Sequence, residues 1–128
     1  MKLKATFLLA AALFVLGPPS ASADEYVSVS VRNNSNVTAS IGVEMSNGKY
    51  LWKTVQPGQR YYADVQHLIY VPFVSGTQSI RVAIVYNGVT RVGTLPIYGS
   101  PFGGSPYYSN GEVFRRSPGI LGLRDLGR

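Results

Sequence analysis

The chain has 128 residues, with twelve Lys and Arg against six Asp and Glu, a single His and no Cys. The absence of cysteine excludes disulfides and a thiol nucleophile, and the length is enough for one small domain with a single core. The formal charge of +6 is modest, and the basic residues form no stripe of the kind that a nucleic-acid binder concentrates on one face. We therefore expect no nucleic-acid partner.

The first 23 residues predict a secretory signal peptide. Two lysines precede a 12-residue stretch, 5–16, that is apolar but for one Thr, and a Gly-Pro-Pro segment breaks any helix before Ala21-Ser22-Ala23. This stretch is shorter than the roughly 20 residues that a membrane-spanning helix needs. We predict cleavage after Ala23 and a secreted or periplasmic protein with no integral membrane segment. The leader takes two of the twelve basic residues with it, so the remaining charge is ten basic against six acidic residues.

Residues 24–95 predict a β-sandwich core. The segment is rich in Val, Ile, Tyr and Thr, and 26–32 alternates valines on one face with serines on the other. Residues 37–45 alternate in the same way. Six or seven strands separated by turns predict an all-β fold, a small antiparallel β-sandwich of immunoglobulin-like or Greek-key type, with a small β-barrel as the alternative.

Two Asn-Gly dipeptides predict tight hairpins with two-residue type I′ turns. Counting outward from Asn47-Gly48 places Val43 opposite Trp52, so that Trp52 is buried and Val55 points outward. The same count from the second dipeptide, at 87–88, places Arg91 opposite Ile84.

Catalytic and metal-binding patterns are sparse. Asp64 and His67 are the best candidate pair for a hydrolase, but an offset of three places them on opposite faces of the strand predicted from Arg60 to about Val71. No spacing matches a zinc, calcium or phosphate-loop motif. We expect no catalytic residue, no metal and no cofactor.

Residues 96–128 predict a Gly/Pro-rich loop and tail, packed on or extending from the same domain. Of these 33 residues, 11 are Gly or Pro. Tyr, Arg, Ser and Gly are the types that recognition loops use, although aromatic rings also anchor long loops to a sandwich. The predicted partner-binding residues of this segment are Phe102, Tyr107, Tyr108, Arg115 and Arg116.

These patterns favour an exported, non-enzymatic β-sandwich that recognises a protein or glycan partner. The alternatives are a membrane-active or self-assembling secreted protein and a small secreted hydrolase. The Asn-Pro-Thr-Thr-Gly loop of the exported, cysteine-free inhibitors of cysteine proteases has no counterpart, so the motifs assign no family. The sequence does not determine the ligand, the final compartment or the oligomeric state.

Overall fold

The protein folds into two sheets of four strands each. A computed structural model describes residues 21–99 and 107–127. Apart from its last three residues, which begin β1, the predicted signal peptide lies outside the described residues. The strands are β1 (Ala21–Asn34), β2 (Ala39–Glu44), β3 (Tyr50–Val55), β4 (Arg60–Val71), β5 (Gln78–Tyr86), β6 (Val89–Ile97), β7 (Tyr107–Ser117) and β8 (Ile120–Asp125).

The strand order defines a small β-sandwich. One sheet runs β4-β1-β7-β8 and the other runs β3-β2-β5-β6. Neighbouring strands are antiparallel except for β1 and β7, which run parallel. The described strands remain in two sheets that pack face to face, which confirms the predicted sandwich over the alternative barrel. The Gly/Pro-rich segment supplies β7 and β8, and β7 is an interior strand of its sheet.

The core lies between the sheets and consists of alternate residues from both. In β1 the three valines predicted to share a face are buried, while the serines between them point outward. Each buried Val or Ile contributes about 1.5–3 kcal/mol relative to an exposed one. The fully buried side chains from the two sheets include Val27, Val29, Val31, Ile69 and Val113 on one side and Ile41, Val43, Ile80, Val82, Leu95 and Ile97 on the other.

The first hairpin differs from the prediction by one residue. The amide of Met45 donates to the carbonyl of Lys49 at 2.7 Å, and Gly48 has a φ of 81°. The φ of Asn47 is not positive, whereas a type I′ turn needs a positive φ at both central residues. The loop therefore has three residues, and Gly42 is opposite Trp52. The prediction that Val43 faces Trp52 is wrong: Trp52 is 47% exposed.

The same shift reverses the predicted direction of the neighbouring side chains in β3. Val55, expected to point outward, is buried opposite Ala39. The second hairpin follows the prediction, because Asn87 and Gly88 have φ values of 54° and 74° and Ile84 is opposite Arg91. The two hairpins thus differ in the backbone angle of the first Asn-Gly residue: φ is positive at Asn87 but not at Asn47.

A buried asparagine holds the turn after β1. Asn33 has 0% exposure, and its Nδ2 donates to the carbonyls of Val37 and Val55 at 2.9 Å each. Its Oδ1 accepts hydrogen bonds from the amide and hydroxyl of Ser35. Because Val55 ends β3 and Asn33 lies in β1, this side chain ties the two sheets together.

Candidate functional site

The largest described cleft lies on the outer face of the β4-β1-β7-β8 sheet. It has a volume of about 450 Å³. Its floor is β1, where the outward residues are small serines, and the taller side chains of β4 and β7 rise on either side. We call it the β1 cleft, and its outward-facing lining residues are Ser28, Ser30, Arg60, Tyr62, Asp64, Tyr108 and Asn110.

Strand register places two aromatic rings on opposite walls of the β1 cleft. Ser28 is opposite Asp64 on β4 and beside Tyr108 on β7. Ser30, one step along the same face, is opposite Tyr62, which is 73% exposed. The strands β4 and β7 are two strand spacings apart, or about 10 Å. Tyr62 and Tyr108 are therefore diagonal across a trough whose floor carries Ser28 and Ser30, and the Arg60 side chain crosses this floor at Ser30.

Hydrogen bonds hold the polar residues of the cleft in place. Arg60 reaches across the floor, and its Nη1 donates to Ser30 Oγ at 2.9 Å and to Asn110 Oδ1 at 3.3 Å. Ser28 Oγ donates to Asp64 Oδ1 at 2.8 Å. These contacts join three strands, so the site is ordered before a ligand arrives and less conformational entropy is lost on binding.

The tyrosines predicted as site residues have different surroundings. Tyr108 is half-buried and lines the β1 cleft, 5.6 Å from Tyr98 between ring centroids. Tyr107 points the other way and packs edge-on against Phe73 at 4.7 Å, beside the core. Phe102 lies outside the described residues. Of the described tyrosines in the predicted set, one is therefore positioned to meet a ligand in the cleft.

The two predicted arginines are far from the tyrosines. Arg115 and Arg116 are exposed near the other end of β7 and border two separate, smaller clefts beside β8. Seven or eight residues of extended strand separate them from Tyr108, which corresponds to about 25 Å. The structure does not bring the predicted set into one site.

The candidate catalytic pair is separated, as the alternation predicted. Asp64 faces outward in the β1 cleft, whereas His67 Nε2 lies 3.1 Å from Glu44 Oε1 of β2. The Nδ1 of His67 is 3.1 Å from the carbonyl oxygen of Leu68. This histidine links the two sheets and has no contact with the cleft. Among residues 21–99 and 107–127, no three His, Cys, Asp or Glu side chains are grouped so that they would hold a metal ion.

A second aromatic surface lies on the outer face of the other sheet. The exposed Trp52 has Tyr50 beside it, with ring centroids 5.8 Å apart and planes at 68°. In register across the sheet follow Gly42, Ala83 and Val92, and Val92 is also exposed. The exposed Trp52 and Val92 form what we call the Trp52 surface, and Gly42 and Ala83 lie buried between them.

No protein-family model matches the chain, and no curated protein matches it significantly. In the described part of the chain there is no helix of the length and hydropathy needed to cross a membrane.

Proposed function

We propose that this chain is an exported, non-enzymatic β-sandwich that binds a glycan in the β1 cleft. The observation that carries the proposal is the pairing of Tyr62 and Tyr108 across a floor of hydroxyl groups. A sugar ring has apolar C–H faces and a rim of hydroxyls. Aromatic walls suit the faces, and serine, amide, carboxylate and guanidinium groups suit the rim.

The charge and hydrogen-bonding types in the cleft support a polar ligand over an apolar one. Asp64 is an acceptor, Arg60 is a donor, and Ser28, Ser30 and Asn110 can both donate and accept. Ligand sites commonly combine an apolar lining with a few fixed polar groups that set orientation. The β1 cleft has both, on regular strands that hold its geometry.

Glycan binding is tested by filling the floor of the cleft. The chain is exported with its leader, purified, and applied to an array of immobilised oligosaccharides, and any hit is titrated by calorimetry. Ser28→Trp places a bulky ring on an exposed strand position between the two walls and is expected to abolish binding. Thr94→Trp, at an exposed position on the other sheet, is the matched control and should bind normally.

The competing outcomes of this experiment are distinct. No glycan bound by the unaltered chain, or equal binding by both tryptophan variants, would refute the proposal. Cleavage products from a bound oligosaccharide would instead favour the hydrolase, in which case Asp64 is the carboxylate of the cleft to substitute first. Assembly that grows with concentration, or leakage from lipid vesicles, would favour the self-assembling or membrane-active alternative.

Protein recognition remains a second candidate, and the Trp52 surface favours it. Exposed Trp at 47% and Val at 57% on one sheet face are of the kind found at protein contacts. Trp52→Ala should then reduce binding to a protein partner while leaving glycan binding by the β1 cleft unchanged. Loss of glycan binding in that variant would place the sugar on the Trp52 surface.

A further inference from the structure

Two arginines face each other beside the β1 cleft. Arg32 of β1 and Arg60 of β4 are directly opposite in the strand register. Both point outward, because Val31 and Tyr61, their chain neighbours, are buried. Residues opposite each other in a sheet have Cβ atoms about 4.5–5.5 Å apart, and like charges at that separation are destabilising.

The carboxylate nearest to this pair is already engaged. Arg32 lies beside Glu112 of β7 in the parallel register. The Oε1 of Glu112 accepts a hydrogen bond from Asn34 Nδ2 at 2.8 Å and is 3.4 Å from Arg124 Nη2. The row across the sheet is therefore Arg60, Arg32, Glu112 and Arg124, three cations and one anion.

The acid that lines the cleft itself lies further away. Asp64 is four residues along β4 from Arg60, about 13 Å, and accepts the hydroxyl of Ser28. Within the described residues, the ion pairs are His67 with Glu44 and Arg124 with Glu112, so neither Arg32 nor Arg60 has an acidic partner. The row of Arg60, Arg32, Glu112 and Arg124, which lies beside one end of the cleft, thus has a formal charge of +2.

Arg60 is also held in a fixed orientation by this arrangement. Its Nη1 makes the hydrogen bonds to Ser30 and Asn110, and within the described part of the chain its Nη2 and Nε make none. A guanidinium presents its donors in a planar fork that matches a carboxylate, and such charge-assisted pairs are stronger than neutral hydrogen bonds.

We propose that the β1 cleft is selective for an acidic glycan, with the carboxylate of a uronic acid residue on Arg32 and Arg60 and a sugar ring between Tyr62 and Tyr108. This inference rests on the proposed function and narrows it to one ligand class. The ligand anion supplies the counter-charge that the row of arginines lacks, and the aromatic walls supply contacts that do not depend on charge.

The test compares two forms of one ligand. Oligogalacturonides and their methyl esters have the same rings, but the esters carry no charge. Calorimetric titration at low salt should show the acid form binding at least tenfold more tightly, with the difference shrinking as salt is added. Arg32→Gln should remove most of that preference while leaving the weaker binding of the methyl ester unchanged.

A charge-matched control separates a local effect from a general one. Arg81→Gln removes one positive charge from β5 in the other sheet, and the preference for the acid should persist in it. In the absence of ligand, Arg32→Gln should also raise Tm by a few degrees, because it relieves the repulsion of the pair. This increase also shows that the variant is folded.

Three outcomes would overturn the inference. They are equal affinity for acid and ester, an equal loss of preference in Arg81→Gln, and a preference that survives Arg32→Gln. If neutral glycans bind and Ser28→Trp abolishes that binding, the proposed function stands while the acidic specificity fails. If no glycan binds at all, both fail.

Discussion

The face of the six-membered ring of Trp52 packs against the α-carbon of Gly42. A Cβ built on Gly42 would be 2.8 Å from both Cδ2 and Cε3 of Trp52 and 3.0 Å from Cε2. Near-equal distances to three adjacent ring atoms place that point over the ring face. The missing side chain at position 42 lets the indole lie flat against the sheet with its other face exposed.

Gly42→Ala is expected to lift the indole off the sheet. The added methyl needs space that the ring occupies, and an edge-strand side chain can swing outward, so unfolding free energy should fall by under about 1 kcal/mol once the better strand propensity of Ala is included. Trp52 is the single tryptophan of the chain, so its fluorescence reports on the change directly. The emission should shift to the red and quenching by acrylamide should increase.

Ser40→Ala is the control for this change, because Ser40 lies on the same face of β2 and is paired with Thr54 instead of Trp52. Its fluorescence should match that of the unaltered chain. An unchanged spectrum in Gly42→Ala would contradict the flat packing of the ring.

Asn33→Ala should destabilise the fold by about 2–4 kcal/mol. The substitution removes the two hydrogen bonds that Nδ2 donates and the two that Oδ1 accepts. The carbonyl of Val37 keeps the Ser35 hydroxyl as a donor at 3.0 Å, whereas the carbonyl of Val55 loses this side-chain donor, and an unsatisfied buried group costs about 1–3 kcal/mol. Urea unfolding measures the loss. Asn34→Ala removes an exposed hydrogen bond to Glu112 and should cost less than about 1 kcal/mol. Similar losses in the two variants would mean that Asn33 does not tie the sheets together.

Tyr61 makes stability fall at high pH. Burial raises the pKa of its phenol above the usual value of 10.0, and the hydroxyl donates to the carbonyl of Leu51 at 2.9 Å. A pKa raised in the folded state favours the neutral phenol. Its contribution is therefore fully present below about pH 10 and is lost as the pH rises through the folded pKa.

Urea unfolding at a series of alkaline pH values, compared with Tyr61→Phe, tests this linkage. Phe cannot ionise, so stability should decline less steeply in that variant. In a pH titration followed by tyrosinate absorbance, Tyr61→Phe should lack one of the phenols that ionise only at high pH in the unaltered chain. The same slope in both proteins would assign the alkaline loss to other tyrosines.

His67→Ala should lower stability by about 1–2 kcal/mol. It removes the contact from Nε2 to Glu44, which connects β4 with β2, and leaves a partly buried carboxylate without that partner. Chemical denaturation gives the magnitude, and amide exchange in β2 should become faster. Gln66→Ala, at the exposed position next to it, is expected to change neither measurement.

The alternation of apolar and polar residues was sufficient to predict the β-sandwich and to assign side chains to the two faces of β1 and β4. Val27, Val29 and Val31 are buried as predicted, and Asp64 and His67 of β4 lie on opposite faces as their offset of three predicted. The register of the first hairpin was not predictable in the same way, because Asn-Gly fits both a two-residue turn and the last two positions of a three-residue loop. The single backbone angle at Asn47 decides between them.

The site was harder to predict than the fold. Ser28, Tyr62 and Tyr108 lie far apart in the chain. Tyr108 reaches the cleft because β7 pairs in parallel with β1, and this pairing depends on contacts between distant segments. The aromatic and arginine content of the tail drew attention to Tyr108, which lines the β1 cleft. It gave equal weight to Tyr107, which the alternation along β7 turns toward the core.

The parallel pairing also determines when the cleft can exist during synthesis. The floor of the cleft, β1, is synthesised first, and the wall from β4 follows. The other wall forms only when residues 107–110 have been synthesised and have docked beside β1. A chain that stops before β7 could pair β1 with β4 but would present a half-open groove with one aromatic side. The complete cleft is thus a property of the finished chain, and the proposed glycan could be held between both walls only after β7 has docked.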